Sequence, residues 1–227
     1  MTRFSTAAYP RAFALMLLAA LAMAFSFSAT ARADGAQAQA FVQQNVQRGL
    51  GILGNKSLSG DQRRAQFRSF LTSLTDIQRI ANFTLGNARR SASPADEQVF
   101  DAAFKEYAIA VYDSRLSKFS GQALQVTGAT ERAPGDFVVT TTLIDPTDEN
   151  SRRNPLEVDF RVQSGNGKMI VIDVAVAGVW LGIEERDQFA AFLNDHNGSI
   201  PALAAHLQKL SVDLRSGAQS TGDQSGQ

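Results

Sequence analysis

The stretch that most constrains the fold is residues 169–182, MIVIDVAVAGVWLG, in which eleven of fourteen residues are apolar and only Asp173 is charged. With the two-residue period of a β-strand, one face carries large β-branched side chains and the other carries smaller ones. A strand that is apolar on both faces must be covered on both. We expect helices on the large face, and either a close helix or a ligand on the small face. The large set is Ile170, Ile172, Val174 and Val176, and the small set is Val171, Asp173, Ala175 and Ala177.

The rest of the chain predicts which elements pack on the two faces of this strand. Two other segments alternate as strands, a third is β-branched throughout, and the short loops between strands predict an antiparallel meander. Before and after this meander, apolar residues recur at helical spacing, with Thr75 and Ser93 as expected helix caps. The pattern predicts an α+β fold, an antiparallel four-stranded meander curled around a pocket and flanked by N-terminal and C-terminal helices. The three strand segments are 123–128, 136–145 and 156–163, and the helical segments are 40–53, 59–74, 75–86, 93–119, 184–198 and 199–214.

The two ends of the chain are set apart by composition. Residues 1–33 have a basic start, an uncharged apolar run and the small-x-small sequence Ala31-Arg32-Ala33, which predicts a signal peptide cleaved before Asp34. Residues 216–227 contain a single apolar residue, Ala218, and predict a disordered tail. We therefore expect one α+β domain over residues 34–215, exported to the periplasm.

Charge and cysteine content narrow the class of protein. After cleavage the chain holds 19 basic and 22 acidic residues, a net charge of −3, which argues against nucleic acid as a partner. It has no cysteine, so stability depends on the core rather than on disulfides, as suits a bacterial periplasm.

The sequence offers few residues in patterns typical of a catalytic or metal-binding site. The two histidines, His196 and His206, have no companions at metal-ligand spacing, and no nucleophile elbow, phosphate loop or dinucleotide fingerprint occurs. We therefore predict no catalytic residue, no metal and no cofactor. Asp173 is the exception that needs a partner, either an arginine or a backbone amide, because burial would otherwise raise the pKa of its carboxyl.

At this point the residues resemble a known family. The segment FRSFLTSLTDIQRIANFTLGNARRSASPADEQVFDAAFKEYAIAVYDSRL is similar to the helical half of the MlaC family, also called toluene-tolerance auxiliary proteins. The segment DVAVAGVWLGIEERDQFAAFLNDHNGSIPALAAHL is similar to its strand, turn and closing helices. The resemblance covers about residues 38–210. A related branch of the family, HpnM, is associated with hopanoid biosynthesis, and the chain is also similar to that branch.

The resemblance implies a periplasmic carrier of phospholipid, with an outer-membrane lipoprotein complex and an inner-membrane ABC lipid transporter as partners, and a role in outer-membrane lipid asymmetry. It implies binding rather than catalysis. Three alternatives remain open: a carrier of hopanoid, an enzyme that acts on an apolar substrate with Asp173 as acid or base, and an interaction module that holds a partner helix.

We expect the ligand to contact inward-facing apolar residues, and two arginines to lie near its head group. The expected tail contacts are Phe83, Phe104, Tyr107, Val111, Val139, Phe160, Val171 and Ala175, and the expected head-group contacts are Arg89 and Arg90.

Overall fold

An antiparallel sheet lies at the centre of this computed structural model, which describes residues 34–116, 121–151 and 153–217. The strands follow in chain order across the sheet, and each pairs with the next. The α+β meander is confirmed, but the described ranges contain five strands rather than the four predicted. They are β1 (Ala123–Ala133), β2 (Asp136–Ile144), β3 (Leu156–Gly165), β4 (Lys168–Val176) and β5 (Val179–Trp180).

The additional strand, β5, consists of two residues after a tight turn. Ala177 and Gly178 adopt φ values of 51° and 81°, and the chain then reverses so that Trp180 pairs with Ala175. Two residues cannot show an alternating pattern, which is why the sequence did not reveal this strand.

Helices lie before and after the sheet, and a 3₁₀ turn (Gly86–Ser91) connects the third and fourth. The last helix includes Ser216 and ends at Gly217 in the left-handed conformation, so the described part of the chain includes the first two residues of the predicted tail. The remainder of that tail and the predicted signal peptide lie outside the described residues. The helices are α1 (34–53), α2 (Gly60–Leu74), α3 (Ile77–Leu85), α4 (Pro94–Leu116), α5 (Leu181–Asp195) and α6 (Ile200–Ser216).

Short polar side chains fix the starts of these helices. Ser93 caps α4 as predicted, since its Oγ accepts from the backbone amide of Asp96. The prediction that Thr75 caps α3 is wrong, because the Oδ1 atom of Asp76 accepts from the amide of Arg79 at 3.0 Å. The hydroxyl of Thr75 is therefore not used as a cap.

One face of the sheet is buried beneath α1. Phe137 and Val139 on β2 lie opposite Val162 and Phe160 on β3, so these four side chains share that face. The first helix contributes three apolar residues four positions apart, as expected for one helical stripe. The buried residues of this sheet cluster are Ala38, Val42, Val46, Phe137, Val139 and Val162.

A second buried cluster lies among α3, α4, α5 and α6. Phe100 packs against Phe104 at 5.8 Å between ring centroids, and the ring of Phe189 meets Phe100 edge-on at 6.0 Å. The buried residues of this helical cluster are Ala81, Leu85, Phe100, Ala103, Phe104, Phe189, Leu193, Ile200, Leu203, Ala204 and Leu207. None of the helices in the described ranges is both long and apolar enough to cross a membrane.

The predicted strict alternation of β4 is interrupted by a β-bulge. Val171 lies opposite Val162 and Asp173 lies opposite Arg161, so Ile172 is an extra residue on β4. The bulge moves Val174 onto the face that Val171 occupies, opposite Phe160. The division of β4 into one large and one small face is therefore wrong, because the bulge exchanges the two faces within the strand.

Candidate functional site

A cavity of about 320 Å³ lies between β3, β4, α2, α3, α4 and the start of α5. This volume falls within the range of small-molecule sites, roughly 300–1,000 Å³. The lining is mostly aliphatic and aromatic. It comprises Phe67, Arg68, Leu71, Thr72, Leu74, Thr75, Ile77, Ile80, Thr84, Phe104, Tyr107, Ala108, Ile109, Val111, Phe160, Val171, Ile172, Asp173, Val174, Leu181, Gly182 and Glu185.

The bulge in β4 supplies the sheet side of the cavity. Because of the extra residue, Val171, Ile172 and Val174 all reach the lining, together with Phe160 from β3. A regular strand would present only every second side chain to one face. The bulge therefore increases the apolar surface that β4 gives to the cavity.

Asp173 has a structural role at the edge of this cavity. Its Oδ1 atom accepts hydrogen bonds from the backbone amides of Val174, at 2.8 Å, and Gly182, at 3.0 Å. The second bond joins the start of α5 to β4, where the amides of the first helical turn have no partner within the helix. Of the partners expected from sequence, backbone amides supply the hydrogen bonds, and the guanidinium of Arg161, opposite Asp173 on β3, adds an electrostatic attraction.

A second carboxylate in the lining has an unusual environment. The hydroxyl of Tyr107 donates to the Oε1 atom of Glu185 at 2.9 Å, which joins α4 to α5. Burial raises the pKa of Glu185 above its usual range, the Tyr107 hydrogen bond opposes this rise, and the nearby Glu184 adds to it. The Oε2 atom of Glu185 is buried and has no hydrogen-bond partner among the described residues.

A polar groove adjoins the cavity. The two share the lining residues Thr72, Thr75 and Ile77, so they lie side by side at the junction of α2 and α3. Lys105 and Asp101 lie on its α4 side, and the Oδ2 atom of Asp101 accepts a hydrogen bond from Gln78. An apolar cavity beside a polar groove is suited to an amphiphilic ligand.

Five of the ten residues predicted from sequence line the cavity. Phe104, Tyr107 and Val111 project from α4, whereas Phe160 and Val171 come from the sheet. The α4 residues were predicted from helical spacing and the sheet residues from strand spacing. In the fold, both sets line the same cavity.

The other five predicted residues lie elsewhere. Val139 is fully buried in the sheet cluster, and Ala175 is 1% exposed between its pairing partners on β3 and β5. Phe83 is 43% exposed and has the guanidinium of Arg186 over its ring. Arg89 and Arg90 belong to the 3₁₀ turn, outside the lining of both the cavity and the groove, and Arg89 pairs with Glu97 at 3.2 Å.

Sequence reasoning missed Glu185 and Thr75. Glu185 lies four and eight residues before Phe189 and Leu193, so it continues the buried stripe of α5 as a carboxylate. The sequence signal for Glu185 was a charged residue at a position where the helical spacing calls for an apolar one. Thr75 gave none, because Thr75 and Asp76 are both plausible helix caps.

The histidines lie away from the cavity. Both rings stack on Phe192, with centroid distances of 3.8 Å for His196 and 4.7 Å for His206. Burial, followed by the nearby positive charges of Lys209 and His196, lowers the pKa of His206. Within the described ranges no three side chains of the metal-ligating types come together to form a metal site.

Two comparisons with known proteins agree with this architecture. A solved structure of a phospholipid-binding protein from Ralstonia solanacearum, in complex with a phospholipid, aligns over 78% of this chain and 98% of its own, with a TM-score of 0.65 and 24% identity. At that identity the likeness shows a shared fold. The family model described as MlaC protein matches residues 43–209, most of the chain. The sequence therefore belongs to the MlaC family.

Proposed function

We propose that this protein is a periplasmic phospholipid carrier that holds acyl chains in the cavity and the head group at the adjoining groove. The observation that carries the proposal is that an apolar cavity and a polar groove lie side by side and share the lining residues Thr72, Thr75 and Ile77. This arrangement matches a ligand with an apolar and a polar end.

The energetics favour a carrier for such a ligand. Removing a methylene from water is worth about 0.8 kcal/mol, so a chain of about fifteen methylenes gains roughly 12 kcal/mol on burial. The same energy keeps a lipid from crossing water unaided. A protein that buries the chains therefore removes the main barrier to transfer.

Family membership and the related structure support the identity of the cargo. The Ralstonia protein shares this fold and was solved in complex with a phospholipid. For this chain we infer the same class of ligand, with an outer-membrane lipoprotein complex and an inner-membrane ABC lipid transporter as donor and acceptor. A polycyclic hopanoid in place of phospholipid is the alternative that lipid identification would reveal.

The head-group assignment differs from the one expected from sequence. Arg89 and Arg90 lie outside the groove. The lining of the groove holds the ammonium group of Lys105, which can attract a phosphate, together with the carboxylates of Asp76 and Asp101, which suit the positive end of a zwitterionic head group. The proposal also gives Asp173 a structural role rather than an acid–base one, because its Oδ1 atom already accepts two backbone amides.

Native mass spectrometry of the exported protein, followed by solvent extraction, tests the proposal. We expect one lipid per chain and a phospholipid in the extract. A protein with the mass of the bare chain that also takes up no lipid from phosphatidylcholine vesicles would contradict a carrier role.

A cavity-filling variant identifies the binding space. Ala108 lines the cavity from α4, and Ala108→Trp should place an indole in the space for acyl chains. A loss of about 1 kcal/mol in binding free energy lowers affinity about fivefold, which sets the smallest decrease in bound lipid that we expect. Ala102→Trp is the matched control, because Ala102 is exposed on the same helix. Equal lipid content in the two folded variants would place the ligand elsewhere.

A further inference from the structure

Two buried oxygen atoms without a hydrogen-bond partner among the described residues lie in the cavity lining. They are Thr75 Oγ1, at the start of α3, and Glu185 Oε2, on α5. The third such atom, Asp159 Oδ1, belongs to a strand residue outside the lining. Buried polar atoms that lack partners are uncommon in folded proteins, because each loses its hydrogen bonds to water. Their presence in an otherwise apolar lining therefore indicates a feature of the ligand.

Glu185 carries the stronger indication of the two. Its Oε1 atom is held by the hydroxyl of Tyr107 at 2.9 Å, so the carboxyl group has a fixed position across the space between α4 and α5. Its Oε2 atom is left able to accept or donate a further hydrogen bond. An unsubstituted acyl chain offers no group to form that bond.

We propose that the preferred cargo of this cavity is a lipid that carries a hydroxyl group on its apolar portion, and that Glu185 binds this hydroxyl. The proposal rests on the lipid-carrier function proposed above and narrows the class of lipid. Thr75 provides a second polar position on another wall of the same cavity.

A hydroxyl fits this environment better than a charged group. An ammonium group would have to leave water for a mostly apolar lining, at a large cost in free energy. Burial also raises the pKa of Glu185, which favours the neutral carboxyl form, and a neutral carboxyl can both donate to a hydroxyl and accept from it.

The test is a competition between matched lipids. Delipidated full-length mature protein is equilibrated with dioleoyl phosphatidylcholine vesicles that contain equal amounts of four probes. One probe is a stearoyl phosphatidylcholine, and three carry a single hydroxyl on that chain, near the carboxyl end, at the middle and near the methyl end. The protein is repurified, and mass spectrometry gives the ratio of bound probes. A buried hydrogen bond of about 1.4 kcal/mol corresponds to tenfold in affinity, so we expect about tenfold enrichment of at least one hydroxylated probe.

Three variants on α4 and α5 test whether Glu185 is responsible for the preference for hydroxylated lipid. Glu185→Leu should retain lipid but reduce the enrichment to about one. Tyr107→Phe should retain lipid but lower the enrichment, because the carboxyl group of Glu185 loses the hydrogen bond that fixes its position. Asp187→Leu is the matched control, since Asp187 is an exposed carboxylate on the same helix that does not shift the pKa of Glu185, and its enrichment should equal that of the wild type. Circular dichroism confirms that each variant is folded, and the wild-type ratio decides the proposal even if Glu185→Leu fails to fold.

The outcomes separate this inference from the carrier proposal. Uptake of all four probes without preference would overturn the hydroxyl inference and leave the carrier function intact. Uptake of none would contradict the carrier function itself. Enrichment that persists in a folded Glu185→Leu protein would overturn the assignment to Glu185.

Discussion

At the scale of single residues, Gly182 and Asp173 constrain each other at the start of α5. A Cβ atom added at Gly182 would lie 3.1 Å from both carboxylate oxygens of Asp173, which is closer than ordinary van der Waals contact. The carboxylate cannot easily move away, because its Oδ1 atom is bonded to the amide of Gly182 itself. Gly182 is therefore needed for this close approach between α5 and β4.

We predict that Gly182→Ala destabilises the protein by about 1–3 kcal/mol, as is usual when an extra methyl group is forced into a packed contact. Urea denaturation measures the change. Gly128→Ala is the control, since a Cβ atom there meets no atom within 4 Å. Equal midpoints for the two variants would show that α5 can shift without cost.

The residue scale also shows what sequence alone can and cannot give for the site. Phe104, Tyr107 and Val111 follow from the helical stripe of α4, and they line the cavity. Val139 follows from strand alternation equally well, yet α1 covers it. Periodicity predicts that a side chain points inward, but it does not predict whether protein or ligand fills the space it faces.

At the scale of elements, the sheet is held in register by a charged pair between β2 and β3. Arg161 donates from Nε to Asp136 Oδ1 at 3.0 Å and from Nη2 to Oδ2 at 2.6 Å. These two bonds hold the pKa of Asp136 below its ordinary value of 3.8, although partial burial opposes the decrease. The carboxylate is thus more stable charged in the folded protein than in the unfolded chain.

The sign of the resulting pH dependence follows from linkage. Because the pKa of Asp136 is lower when folded, the pair stabilises the protein above the unfolded-state pKa, and this contribution is lost as pH falls through the folded pKa. We predict that Asp136→Asn costs roughly 1–2 kcal/mol near neutral pH, as expected for a partly exposed charged hydrogen bond. The difference from wild type should shrink below about pH 4.

Denaturant midpoints measured across this pH range check the prediction. Asp148→Asn, in the exposed loop between β2 and β3, is the matched control for the substitution itself. A constant difference at every pH would mean that the mutation acts through packing rather than through charge.

Element order and type were readable from the sequence because long amphipathic helices and alternating strands carry strong periodic signals. The bulge at Ile172 was not readable, since the run from Ile170 to Val176 is apolar in either register apart from Asp173. A one-residue shift exchanges the faces of a strand, and only its neighbours determine where that shift occurs. For the same reason β5 was missed, because its pairing depends on the turn at Ala177 and Gly178.

At the scale of the whole molecule, the cavity lies between the sheet cluster and the helical cluster. Phe160 packs at the edge of the sheet cluster, Tyr107 and Ala108 pack at the edge of the helical cluster, and all three line the cavity. A lipid in this space would contact both clusters and join them into one continuous apolar interior. Bound lipid should therefore contribute to the stability of the folded protein.

We predict that lipid raises the thermal unfolding midpoint of the delipidated protein. A ligand that binds only the folded state at about one hundred times its Kd stabilises that state by about 2.7 kcal/mol. For a chain of this size that corresponds to a rise of roughly 5–10 °C. Differential scanning calorimetry with and without palmitoyl-oleoyl phosphatidylcholine measures the shift, and Ala108→Trp should show a much smaller one. If native mass spectrometry showed bound lipid while the midpoint stayed unchanged, the lipid would bind the folded and unfolded chains equally well, which would contradict binding in a cavity that only the folded chain forms.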